Sequence, residues 1–342
     1  MSATTNQAGQ PADTPADAIA ADPAIDVGDE SDAQSINTSS TASLSESVLE
    51  YRKLHGRTYT QKTDYYGPND EKQNEGLHLM HYLLTVFLDD KLFLAPIGKT
   101  PHRVLDLGTG TGVWASDFAD EFPESEVIGV DISPIQPSWA PPNCKFQIDD
   151  IDQSWTWPSD HFDFVHARNL EGCISDWVDF DKEALRCLKP GGYIEVIELD
   201  FHARSQNQTL PEDHVFNRWG KIMFEAFRKL GKTAEQHRDG GIAKNLEAAG
   251  FTEIVAKKWP IPVGGWPRDP KLKEVGSCYL ESADQSLEGW GTFLLKEMMG
   301  WEYAEILVFM SEMRQAIRDP KIQPFLYLHL VHAKKPEQES EA

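Results

Sequence analysis

The stretch Val104-Leu105-Asp106-Leu107-Gly108-Thr109-Gly110-Thr111-Gly112 constrains this chain more than any other segment. Val104, Leu105 and Leu107 form the apolar core of a short buried strand. The alternating glycines then let the chain turn sharply and bring backbone against a ligand with no side chain between. Val113 to Phe118 resumes as a helix, so the segment reads as the first strand, turn and helix of a parallel α/β sheet. The spacing is G-x-G-x-G. A dinucleotide fingerprint calls for Gly or Ala at position 113, where Val113 stands.

Asp106, two residues before the first glycine, suits a ligand that carries positive charge near the loop, such as the sulfonium and α-ammonium of S-adenosyl-L-methionine. That favours a methyl donor over a nicotinamide cofactor. The strands that follow supply the remaining contacts. Val127 to Asp131 reads as the second strand, and Asp131, 23 residues after Gly108, is placed to accept both ribose hydroxyls. Lys145 to Ile148 is the third strand; it delivers Asp150 for the adenine amino group and Ile151 to pack on the ring. Phe162 to His166 is the fourth, leading into Arg168, and its end should face the transferable methyl, because open sheets bind ligands beyond their strand carboxyl ends. No Asn/Asp-Pro-Pro-aromatic tetrad follows it, the mark of methylation on nucleic-acid bases.

The rest of the chain reads as alternating helices and strands. A helix from Lys182 to Leu188 stops at Lys189-Pro190-Gly191-Gly192, and Tyr193 to Glu198 is the fifth strand. Aromatic-rich Phe216 to Leu230 and Ile242 to Ala249 are helices, and Thr252 to Lys257 is the sixth strand. Trp259 to Pro270, with four prolines, reads as a rigid connection, Leu287 to Met313 as helical, and Phe325 to His332 as a last, antiparallel strand. On the N-terminal side, residues 1–45 lack large apolar side chains and are expected to be disordered. Val48, Leu49, Tyr51 and Leu54 begin a helix; Tyr59, Tyr65 and Tyr66 follow in a turn-rich stretch suited to lining a pocket; Leu77 to Leu88 is an amphipathic helix whose His78 and His81 read as surface or core residues.

Composition narrows the partners. The net charge of −23 repels phosphate backbones and anionic lipid, so no direct nucleic-acid or membrane partner is expected. No apolar run approaches the roughly 18 residues of a membrane span, and no secretory signal is seen. The expected location is cytoplasmic or nuclear. Cys144, Cys173, Cys187 and Cys278 are scattered without a C-x-x-C pair or a ligand-spaced histidine, so they read as reduced thiols, and no metal is expected.

Together these motifs resemble the class I S-adenosylmethionine-dependent methyltransferases, most closely the fungal LaeA-like methyltransferases of secondary metabolism and development. The class resemblance rests on Asp106-x-Gly108-x-Gly110-x-Gly112, Asp131, Asp150 and Leu188 to Gly192. The narrower one rests on Gly112-Val113-Trp114, Val130 to Pro137, Pro142-Asn143 and Gly265 to Asp269. It implies a doubly wound, Rossmann-like α/β sheet of seven strands, the last antiparallel, in a domain spanning residues 101–336. Ahead of that domain it implies a helical N-terminal lid over residues 46–100, with further lid segments near 205–235 and 260–320 and a short tail after 336. It implies cofactor contacts at Gly108, Thr109, Gly110, Gly112, Asp131, Ile132, Asp150, Ile151 and Arg168, with Asp106 supporting the loop, and acceptor or lid positions at Tyr59, Tyr65 and His166. Gly67 and residues 73–78, with Gly76 and His78, depart from the family pattern.

Methyl transfer needs alignment and dehydration more than proton transfer, so no catalytic base is assigned; His166, His202 and Glu198 are the nearby candidates. The expected activity is methylation of a small-molecule or protein acceptor. The alternative is a regulatory protein that acts through partners in a nuclear transcription-control complex.

Overall fold

The computed structural model describes residues 51–61 and 65–337. The expected disordered tail, the helix start at Val48 and Leu49, and the last five residues lie outside the described residues. Where that helix was to continue there is instead a hairpin of β1 (Arg52–Leu54) and β2 (Arg57–Tyr59). Its two-residue turn, His55-Gly56, holds both residues at positive φ, 47° and 84°. Such a turn matches the twist of paired strands and overrides the apolar spacing upstream. Asp70 then caps α1 (Glu71–Phe87) by accepting from Gln73 N at 3.0 Å, and Arg57 Nε binds the same carboxylate at 2.6 Å, which fastens the hairpin to the helix.

The main sheet holds β3 (Arg103–Leu107), β4 (Glu126–Asp131), β5 (Cys144–Ile148), β6 (Phe162–Arg168), β7 (Leu188–Leu199), β8 (Arg204–Ser205), β9 (Thr252–Pro262) and β10 (Pro324–Lys334). Its order is β5-β4-β3-β6-β7-β10-β9, with β8 adding two residues against β10 beyond the end of β7. The first five strands are parallel, and β10 runs antiparallel between β7 and β9. The doubly wound sheet is thus present, with eight strands rather than seven because of the short β8. Strand β9 continues through Pro260 and Pro262, where a rigid connection was expected. It pairs only with β10, so the missing proline N–H groups interrupt no second ladder.

Helix α2 (Val113–Glu121) covers one face, where Trp114, Phe118, Val104, Val127 and Phe164 form a core. Helices α3 (Trp177–Cys187) and α5 (Gly241–Ala249) cover the other, packing Trp177, Phe180, Ile242 and Leu246 on Leu105, Val165 and Ile194. The alternation of Val104 and Leu105 between the two cores is the strand period of two. Helices α1, α4 (Val215–Leu230), α6 (Pro270–Phe293) and α7 (Tyr303–Arg318) build a third core over the C-terminal end of β7 and the N-terminal half of β10. The single helical run expected at 287–313 is broken: α6 gives way to a π-helical turn at Leu294–Met298, and Gly300 at φ 72° reverses the chain before α7. Gly76 lets α1 lie close on α6: an added Cβ would stand 2.9 Å from Ser286 Oγ, and Ser282 Oγ donates to Gly76 O at 2.7 Å. No described helix is long and apolar enough to cross a membrane.

Candidate functional site

Strand order runs away from β3 in one direction and from β6 in the other, so a crevice opens at their carboxyl ends. The glycine loop forms its floor, with Gly108, Gly110 and Gly112 at φ 66°, 57° and 77°. Their roles differ. A Cβ on Gly108 would come within 2.4 Å of Leu170 Cδ2, and one on Gly112 within 2.4 Å of Phe146 Cζ; on Gly110 it would meet only Leu77 Cδ1, at 3.4 Å. Gly108 and Gly112 therefore admit neighbouring side chains, while Gly110 leaves backbone facing open space.

Beneath the loop, Thr109 Oγ1 donates to Asp106 Oδ2 at 2.6 Å, and Asp106 Oδ1 lies 2.7 Å from His166 Nδ1. The imidazole stacks on Trp114 with centroids 3.7 Å apart, and Trp114 Nε1 donates to Leu92 O at 2.8 Å. Burial holds His166 below its ordinary pKa despite the opposing carboxylate, so a neutral ring with its proton on Nδ1 fits the pair. Asp106 is 3% exposed and both its oxygens are occupied. Asp106 and His166 are thus underpinnings of the loop, the supporting role expected of Asp106, and neither lines the cavity, which corrects the expected direct cofactor contact of Asp106 and the acceptor or lid position of His166.

Asp131, at the end of β4, accepts from Gly110 N at 2.8 Å and from Ser133 N at 2.9 Å. Burial pushes its carboxyl up to about 6, with those donors working against the shift. Gln136 Nε2 donates to Gly110 O at 2.6 Å, so both backbone groups of Gly110 are fixed by the segment after β4. Arg168 extends from β6, its Nη2 3.2 Å from His81 Nδ1, while His81 Nε2 meets Asp117 Oδ2 at 2.9 Å. Burial lowers the Arg168 pKa, and no carboxylate pairs with its guanidinium among the described residues. His81 is accordingly a positioning residue, a role its helical spacing did not reveal.

Gly108, Thr109, Gly110, Asp131, Ile132, Asp150, Ile151, Arg168 and Tyr65 all line one cavity. Gly112 does not. Neither does Tyr59, which is fully buried in the hairpin with its hydroxyl donating to Gly289 O of α6 at 2.8 Å; of its expected acceptor or lid position, the acceptor half is corrected. Sequence reasoning missed Leu77, Met80, Asn169, Leu170, Cys173 and Lys232, which, with Thr111 and Val113 of the glycine-loop segment, complete the lining. Asn169 carried a signal in its residue type: it sits at φ 56° directly after β6, a conformation asparagine tolerates better than most residues. Lys232 follows α4 and reaches Asp152 Oδ2 at 2.5 Å, a contact 80 positions away in the chain that no local pattern announces.

The residues fit S-adenosylmethionine. Gly110 offers a face that a side chain would fill, Asp131 offers carboxylate lone pairs, Asp150 and Ile151 stand at the adjoining edge, and Arg168 is a half-buried cation with no carboxylate paired to it among the described residues. A second cavity of about 120 Å³ adjoins the first, and Tyr65, Leu77, Met80 and Asn169 line both. It is roofed by α1, α4, α6 and α7. Of the three candidate bases, Glu198 lines this second cavity, whereas His166 and His202 line neither.

Comparison with known proteins agrees with this geometry. A family model described as a methyltransferase domain matches residues 78–254. Methyltransferase pytC of Aspergillus terreus is 36% identical over 321 residues, covering 93% of this chain and 98% of its own length. The secondary metabolism regulator LAE1 of Cochliobolus heterostrophus is 32% identical over 80% of this chain and 91% of its own. The protein-methionine methyltransferase laeA of Emericella nidulans is 29% identical over 84% of this chain and 77% of its own.

Proposed function

Because this chain belongs to the S-adenosylmethionine-dependent methyltransferases and is related to LaeA-like proteins of fungal secondary metabolism, we propose that it methylates a small-molecule acceptor held in the second cavity. The observation that carries this reading is the shared wall of Tyr65, Leu77, Met80 and Asn169, which puts a second, mainly apolar cavity directly beside the cofactor cavity. The cofactor supplies a methyl on a sulfonium, a good leaving group. The chain's own residues supply binding and alignment. Gly110 gives backbone access, Asp131 accepts the ribose hydroxyls, Asp150 and Ile151 hold the adenine, and Arg168, steadied by His81, pairs with the carboxylate of the methionine portion. The roofing helices hold an acceptor against the cofactor and limit its contact with solvent. A role through partner proteins alone is not favoured, since the glycine loop is intact and named methyltransferases are among the relatives.

The test is transfer of radiolabelled methyl from S-adenosylmethionine into fungal metabolite extracts, run beside nuclear protein extracts. Label in a low-molecular-weight product supports the reading; label confined to protein would replace it with a protein acceptor, the chemistry named for the relative from Emericella nidulans.

Asp131 gives this reading a pH dependence. A carboxylate accepts both ribose hydroxyls, whereas a protonated carboxyl loses part of that capacity. With the carboxyl pushed up to about 6, affinity for S-adenosylhomocysteine should be level above neutrality and fall as pH drops through that value. The fall should approach about tenfold per pH unit. Asp131→Ala should weaken binding by about 1.5–3 kcal/mol at neutral pH, the scale of hydrogen bonds to a charged group, and flatten the profile. Calorimetry from acid to neutral pH measures both effects, and a wild-type affinity that ignores pH would remove the ribose role.

A further inference from the structure

The lining of the second cavity has an unusual balance of charge. Glu171, Glu198 and Asp200 all contribute to it, each no more than 2% exposed, yet among the described residues no lysine, arginine or histidine does. The wall is also rich in aromatic side chains, with Tyr65, Tyr66, Phe201, Trp219, Tyr279 and Trp290 in it. Asp200 is paired outside the cavity by Arg204 at 2.7 Å, and Glu198 accepts from Leu170 N and Glu171 N at 2.9 and 3.2 Å. Glu171 differs. Its Oε1 meets His237 Nδ1 at 2.6 Å, but its Oε2, fully buried, has no hydrogen-bond partner among the described residues.

We propose that the methyl acceptor is a basic amine carried on an apolar group, and that Glu171 Oε2 is the counter-ion that receives it. This rests on the reading of the second cavity as the acceptor site. A buried carboxylate oxygen without a donor is costly, and an ammonium supplies both the missing donor and the missing charge. Aromatic faces add favourable contact with a cation and none with an anion. Burial and the neighbouring charges of Glu198 and Asp200 raise the Glu171 pKa, and burial holds His237 down at about 4, so His237 brings no positive charge to the pair. An ammonium at Oε2 relieves that repulsion. The same oxygen can then take one N–H proton from the ammonium, which leaves the electron pair on nitrogen free to serve as the nucleophile.

The experiment is calorimetric titration of the full chain, saturated with S-adenosylhomocysteine, with 2-phenylethylamine and with its neutral analogue 2-phenylethanol. The wild type should prefer the amine by about tenfold or more, the scale of a charge-assisted hydrogen bond in a buried site. Glu171→Gln should reduce that preference to near parity while S-adenosylhomocysteine still binds. Glu198→Gln, which removes one neighbouring ionisable carboxyl, should lower it by a smaller factor. Equal or tighter binding of the alcohol by the wild type, with S-adenosylhomocysteine binding intact, overturns the amine assignment alone and needs no variant. An amine preference that survives Glu171→Gln overturns the role of Glu171. Failure of the wild type to bind S-adenosylhomocysteine overturns the methyltransferase reading of the site and this inference with it.

Discussion

Replacing Gly110 with valine should leave the protein folded and abolish measurable binding of S-adenosylmethionine. Gly110 stands at φ 57°, where an L residue is disfavoured by about 1–2 kcal/mol and a β-branched one by more. That strain alone weakens the loop. The larger effect is steric, since the new side chain would project toward Leu77 into the space that the cofactor must enter. Both effects together should lower affinity by more than about 100-fold, the factor that corresponds to roughly 3 kcal/mol. Gly108→Val makes an informative companion: its Cβ would collide with Leu170 rather than open space, so it should reduce folding stability as well as binding. Calorimetry with S-adenosylhomocysteine, alongside thermal melts, separates the two. Unchanged affinity in Gly110→Val would show that the ligand does not approach this loop.

The second large effect is expected from Trp114→Ala. This side chain is 1% exposed, packs with Phe118 and Phe164, stacks on His166 and donates to Leu92 O. Removing it leaves a cavity under α2 and a buried carbonyl without its donor, and truncations of this kind cost about 3–5 kcal/mol. The loss should extend to the site. Without the indole, His166 is no longer held flat against Asp106, and Asp106 is the group that anchors Thr109 in the loop. Chemical denaturation should show the stability loss, and cofactor affinity at a temperature where the variant remains folded should fall as well. A change in stability below about 1 kcal/mol would mean that the indole is replaceable by repacking.

Much of this was legible in the chain itself. The glycine loop, Asp131 and Asp150 lie at the ends of short, strongly patterned strands, and such local signals place a residue at one sheet edge without knowledge of the fold. The departures have physical causes. Asp106 and His166 point away from the cavity because alternate residues of a parallel strand face opposite layers, and a carboxylate within reach of Thr109 and His166 satisfies them before any ligand arrives. Tyr59 was drawn into the hairpin by the His55-Gly56 turn, a local signal stronger than the apolar spacing around it. The second cavity was legible only in outline, from Tyr65, Tyr66 and the aromatic helix after Glu212: Gln73, Glu171, Glu198, Tyr279 and Met313 are brought together only by packing of α1, α6 and α7 over the sheet. The buried charge pattern that distinguishes it emerges with that packing.

The most direct measurement is a crystal structure of the protein with S-adenosylhomocysteine. The ribose hydroxyls should lie on Asp131, the carboxylate of the homocysteine portion on Arg168, and the sulfur beside the wall formed by Tyr65, Leu77, Met80 and Asn169, facing the second cavity. A ligand bound with its ribose away from Asp131, or with its sulfur turned from that wall, would contradict both the cofactor site and the acceptor chamber assigned to it.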